Sequence, residues 1–157
     1  MPTIERSITI AAPVEDVFAV VDDPKRQTEW LPGVTKVADV VRTQDRVGDT
    51  YKATYSILGM RFATKISLLQ WEKNKGYVER MEGSLPGTFA VNCEPNEQGT
   101  RLTLRIDYTI TMGVLGKAMN RLLFERMNEK TIERGVENLK LLCELGGVEQ
   151  TASKASS

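Results

Sequence analysis

Histidine is absent from the 157 residues. That removes the commonest general base and the commonest neutral metal ligand, so Ser-His-Asp, Cys-His and His-based metal chemistry are excluded. Cysteine occurs only twice. Cys93 and Cys143 lie far outside the close spacing of zinc or redox motifs, and they read as two buried free thiols. Long apolar runs are also missing: no window approaches the roughly 18 apolar residues of a membrane span. The start, MPTIERSITI, has neither the basic region nor the apolar stretch of a signal peptide. Net charge is missing too, with 21 basic residues against 21 acidic ones. No basic block could neutralise a run of phosphates, which argues against a nucleic-acid partner. A cytoplasmic protein with no stable membrane insertion is expected, with neither cofactor nor metal.

The apolar share, 41% of the chain, suits one core and one domain. Residues 1–147 are expected to form it, with 148–157 as a disordered tail. Ile4, Ile8 and Ile10 alternate with Thr3, Ser7 and Thr9, the two-residue rhythm of a strand; Arg6 interrupts the apolar series. Pro13 stands where a helix can start, and Val14, Val17, Phe18 and Val21 form one apolar stripe behind it. Asp23 before Pro24 reads as a second cap, opening a short helix that must stop by Leu31 because Pro32-Gly33 follows.

The middle of the chain reads as strands. They are Val37–Arg42, Tyr51–Ile57, Met60–Trp71 with Phe62, Thr64, Ile66, Leu68 and Gln70 on one face, Tyr77–Glu82, and one through Phe89, Val91 and Cys93. The last strand places Leu102, Leu104, Ile106, Tyr108, Ile110 and Met112 on one face. Short turns at Leu58-Gly59, Asn74-Lys75-Gly76 and Leu85-Pro86-Gly87 join them, so the sheet is antiparallel. After Gly113 the pattern is helical to about Glu144, with Gly146-Gly147 as the stop. Arg121 with Glu125, Arg134 with Glu137 and Glu137 with Lys140 mark its solvent face. This layout is a curved sheet around a terminal helix, and it tends to leave a hollow between them.

The segment ITIAAPVEDVFAVVDDPKRQTEWLPGV, the strand GTRLTLRIDYTI after a Gly-containing loop, and a final helix ending ENLKLLCE resemble the polyketide cyclase/dehydrase-like branch of the START/Bet v 1-like (SRPBCC) helix-grip superfamily. The resemblance covers the chain except its tail, and its motifs are structural. It implies an α+β helix-grip fold: a seven-stranded curved antiparallel sheet around a long C-terminal helix, with two short helices after the first strand. It also implies a cavity for a small apolar molecule such as a lipid, polyketide or isoprenoid quinone. Fold alone does not choose among carriers, cyclases and other roles.

Within that frame Tyr51, Tyr55, Phe62, Phe89, Tyr108, Met119 and Phe124 are expected to line the cavity, since aromatic and Met side chains suit adaptable apolar recognition. Met119, Leu123, Phe124 and Met127 are expected to form a movable lid hinged at Gly113 and Gly116, while Ile132, Val136, Leu139 and Cys143 clamp the helix on the core. Glu79 and Arg80 occupy opposite faces of one strand. If the Tyr77 face points inward, Glu79 is a buried carboxyl; if not, Arg80 faces in and could bind a carbonyl. The default is that both are solvated. Gly113-Val114-Leu115-Gly116-Lys117 has the context of a phosphate loop but is too short for one. Two readings follow: a carrier or sensor of an apolar ligand, or a cyclase/aromatase using Glu79 or Arg80 with Tyr55 or Tyr108. A protein-interaction module fits as well if side chains fill the hollow.

Overall fold

A computed structural model describes residues 2–114 and 120–156, with side chains as far as residue 146. Seven strands form one sheet: β1 (Thr3–Ile10), β2 (Val34–Val41), β3 (Thr50–Ile57), β4 (Met60–Glu72), β5 (Gly76–Gly83), β6 (Gly87–Asn96) and β7 (Gly99–Tyr108). Their spatial order is β1-β7-β6-β5-β4-β3-β2, and every pairing is antiparallel. Between β1 and β2 the chain makes α1 (Val14–Val21), a 3-10 turn (Pro24–Arg26) and α2 (Gln27–Trp30). Pro13 is the N-cap of α1, and the Asp23 carboxylate accepts from the Lys25 N–H at 3.1 Å to start the 3-10 turn. The long helix α3 (Arg121–Ser156) lies against β1, β3, α1 and α2. This is the helix-grip architecture, with the core between the concave sheet face and α3.

Two backbone devices shape the site end of the sheet. Leu58 and Gly59 both have positive φ, 53° and 77°, as the primed turn of a two-residue hairpin requires, and this turn fixes the β3–β4 register. Gly33 has no Cβ because the Tyr55 ring lies against its backbone. The Tyr55 ring can therefore keep this position only if residue 33 is glycine. Register shifts in the β2–β3 and β4–β5 pairs bend the strands and help the sheet curve around α3.

The structure departs from the sequence expectations at four places. A bulge between Leu68 and Gln70 opposite β5 shifts the β4 alternation by one residue, so Gln70 is exposed instead of sharing the face of Phe62, Thr64, Ile66 and Leu68. Strand β7 ends at Tyr108, although the Thr109 N–H still donates to the Pro86 carbonyl in the same register at 2.9 Å; residues 112–114 are helical, and Met112, expected on the inner face, is 84% exposed. The helical pattern expected after Gly113 is interrupted: residues 112–114 are helical, and α3 itself starts at Arg121, where the Asn120 side-chain oxygen accepts from the Leu123 N–H at 3.1 Å and caps it. The same helix runs through Gly146 and Gly147 to Ser156. Two glycines cost a helix about 1 kcal/mol each, and no proline follows to enforce the expected stop. On the solvent face Arg121 pairs with Glu125 at 3.0 Å, whereas Lys140 bonds Glu144 and the Thr9 carbonyl.

Candidate ligand-binding site

The buried stripe of α3 runs Phe124, Asn128, Ile132, Val136, Leu139 and Cys143, at spacings of three or four that keep one helix face on the sheet. Phe124 is wholly buried, edge-on to Phe62 with ring centroids 6.1 Å apart. It therefore belongs to the clamp and does not form the separate lid expected for it. Leu123 is 47% exposed, Met127 is half-buried on the edge of the core, and Met119 lies outside the described residues with the Gly116 hinge.

Between this stripe and the sheet is a cavity of about 80 Å³. Its apolar wall comes from Leu31 and Val34 around α2, from Ala53, Ile66, Met81, Phe89 and Ile106 on the sheet, and from Ile132 on α3. Of the expected lining residues Tyr51, Tyr55, Phe89 and Tyr108 reach it; Phe62, Leu123, Phe124 and Met127 do not. Glu79 faces the cavity beside Tyr77 and Met81 on the inner face of β5, and Arg80 is exposed on the outer face. The default of a solvated Glu79 is therefore overturned. Glu79 pairs with Leu68 on one side and Phe89 on the other, near the middle of the sheet, where it is buried.

Two polar groups sit in this apolar wall. At one end the Gln27 amide donates to the Tyr51 hydroxyl at 2.7 Å, and the Tyr51 O–H donates to the Glu79 carboxyl at 3.0 and 3.2 Å. Burial lifts the Glu79 pKa to about 8; the Tyr51 hydrogen bond pulls it down in part, and the charge of Asp22 pushes it up. Burial likewise raises the Tyr51 phenol well above its ordinary value. At the other end Asn128 accepts a short hydrogen bond from the Tyr55 hydroxyl. The buried Tyr108 hydroxyl beside it has no partner among the described residues. Near neutrality this arrangement can present a neutral carboxylic acid and a phenolic O–H to whatever fills the space.

Behind Glu79 a charged cluster closes the β2–β3 loop. The Arg46 guanidinium holds Asp22 with two bonds of 2.8 and 2.9 Å and Asp49 with one of 2.7 Å. It lies over the Trp71 ring at 4.7 Å, and the Trp71 indole N–H donates to Asp22 at 3.0 Å. A space of about 20 Å³ separates this cluster from Tyr51 and Glu79. Among functional residues, sequence reasoning missed Gln27 and Asn128. Gln27 sits in a four-residue helix too short to show a pattern. Asn128 did carry a signal, as the one polar position at i+4 from Phe124 and i−4 from Ile132 in an otherwise apolar stripe.

A sheet that grips a helix over a largely apolar cavity defines a ligand-binding class of protein. The sequence profile described as "polyketide cyclase / dehydrase and lipid transport" matches residues 1–144. The chain belongs to that family. Among solved structures, a protein of Thermus thermophilus is similar with a TM-score of 0.75 at 19% identity, covering 93% of this chain and 99% of that one. A START superfamily protein from Mycobacterium smegmatis is similar with a TM-score of 0.73 at 16% identity, covering 95% and 98%. The di-domain aromatase/cyclase StfQ of the steffimycin biosynthetic pathway gives 0.75 at 15% identity, covering 92% of this chain and 52% of StfQ. At these identities the likeness establishes the fold. No curated protein sequence matches the chain.

Proposed function

We propose that this protein binds a small, largely apolar molecule in the cavity between the sheet and α3, as a carrier or sensor. The observation that supports this most is the wall: apolar side chains interrupted by a few convergent polar atoms, the pattern of small-molecule sites. Lipid transport in the family's description fits the same reading. At about 80 Å³ the space is roughly half of the 150 Å³ that accommodates benzene in an engineered cavity. A lipid-sized ligand therefore needs the cavity to widen as it enters. The two buried free thiols suit a reducing, cytoplasmic compartment. A thermal-shift screen with lipids, quinones and polyketide-like aromatics tests the reading. Binding raises the melting temperature by mass action, by about 2.7 kcal/mol at a hundredfold excess over Kd; no shift across the screen refutes it.

A second reading, cyclase-type catalysis, is favoured by Glu79 itself. An acid with a pKa near 8, hydrogen-bonded to Tyr51, is suited to polarising a bound ketone. The version that used Arg80 does not fit, because that side chain is outside. If Glu79→Gln abolishes turnover of a bound polyketide while leaving its binding intact, the protein is an enzyme.

A further inference from the structure

Glu79 is the only ionisable acid on the cavity wall, and neither lysine nor arginine lines it among the described residues. The nearby carboxylates Asp22 and Asp49 share one cation, Arg46. Among the described residues Glu79 pairs with no cation, and its carboxyl receives a hydrogen bond from Tyr51 alone, although an ionised carboxylate can accept about four. The groups around it leave that gap open. Tyr51 on β3, Tyr77 on β5 and Gln27 on α2 are neutral, Asp22 repels it, and Arg46 is committed to two other acids. Asn128 and Ile132 of α3, across the cavity, carry no charge. An apolar acid such as a fatty acid would find no cation here and would face a second carboxyl.

We propose that the cavity's ligand is an apolar amine, bound as its ammonium ion with Glu79 as counter-ion. This rests on the reading of the cavity as a ligand site. Tyr51, Tyr55, Phe89 and Tyr108 also line the cavity, and aromatic rings attract an ammonium group most when it is out of water. The proton balance is simple. Glu79 releases its proton to solvent as the ammonium ion enters, or a neutral amine takes that proton directly; both routes end in the same ion pair. A neutral alcohol of the same shape releases none.

Three matched probes test this: 2-phenylethylamine, 2-phenylethanol and phenylacetate, with butylamine, 1-butanol and butyrate as a smaller set. Binding is followed by NMR titration of the full chain at pH 6, 7 and 8. The amine is expected to bind at least tenfold more tightly than the alcohol at pH 8, and the carboxylate most weakly. Below pH 8 the amine's affinity should fall, approaching tenfold per pH unit, because binding then has to displace the Glu79 proton. Glu79→Gln should bring the amine down to the alcohol's affinity. If that variant does not fold, the amine-to-alcohol ratio and its pH slope in the wild-type chain decide alone. An alcohol that binds as tightly as the amine, or an amine affinity independent of pH, overturns this inference and leaves the cavity reading standing. Binding of none of the six probes overturns both.

Discussion

Replacing Glu79 by glutamine should stabilise the protein, and by an amount that depends on pH. Glu79 is 7% exposed, so its folded environment decides its titration with little screening by water. Burial raises its pKa from 4.5 in the unfolded chain to about 8 in the fold. Between those values the folded state holds a proton that the unfolded state has lost, so stability falls as pH rises from 4.5 to 8 and is level beyond. Each pH unit in that window costs about 1.4 kcal/mol. The accumulated penalty is therefore about 3 kcal/mol at pH 7 and about 5 kcal/mol above pH 8, to order of magnitude. Glutamine keeps the shape and still accepts from Tyr51, but it has nothing to ionise. At pH 4, where both side chains are neutral, the two proteins should agree to within about 1 kcal/mol. Urea unfolding of both at pH 4 to 9 reads this directly. With an m-value of about 2 kcal/mol/M, the midpoint of Glu79→Gln should exceed the wild type by about 1.5 M at pH 7. A stability difference that does not change with pH, or a glutamine variant less stable throughout, would show that Glu79 is not held neutral by burial.

Leu139→Ala and Phe124→Ala should each destabilise by roughly 2–5 kcal/mol in the same assay, because both side chains are fully buried in one stripe; a much smaller loss for Phe124 would restore the lid assignment. Arg46→Ala should cost roughly 3 kcal/mol by leaving Asp22 and Asp49 without their cation in a partly buried setting, and a circular-dichroism melt shifted by less than two or three degrees would contradict that. Cys93 and Cys143, whose thiols burial pushes up to about 12 and about 11, should resist thiol reagents at pH 8 until the protein is unfolded, as a colorimetric titration with and without denaturant would show.

The fold was legible in the sequence because its signals are local and repeated. Alternation in β3, β4, β6 and β7, Pro13 and Asp23 at the starts of helical segments, and Leu58-Gly59 as a two-residue turn each act over a few residues, and they agree with one another. Where the reading failed, a single backbone event changed the periodicity. The bulge after Leu68 moved Gln70 to the other face, and the helical turn at residues 112–114 took Met112 out of the strand's alternation. Neither event has a mark in residue type, because a bulge is set by how two strands pair.

The site was half legible, for a different reason. Tyrosines on an apolar face mark a wall well, but which charged residue of β5 turns inward depends on register, and Glu79 and Arg80 compete on equal terms until β4 and β6 are in place. Once Tyr77 docks its hydroxyl on the Val21 carbonyl at 2.8 Å, the inner face of β5 is fixed and Glu79 follows two residues on. Its partners then come from separate parts of the chain: Tyr51 from β3 and Gln27 from the turn of helix before Pro32. The asymmetry of the finished cavity, one acid and no base, is a property of the assembled wall and of no segment alone. Composition shows this most clearly. Acidic and basic residues balance over the whole chain, yet among the described residues the cavity wall carries one carboxyl and no lysine or arginine, so on the proposed reading a ligand's own charge decides how tightly it binds there.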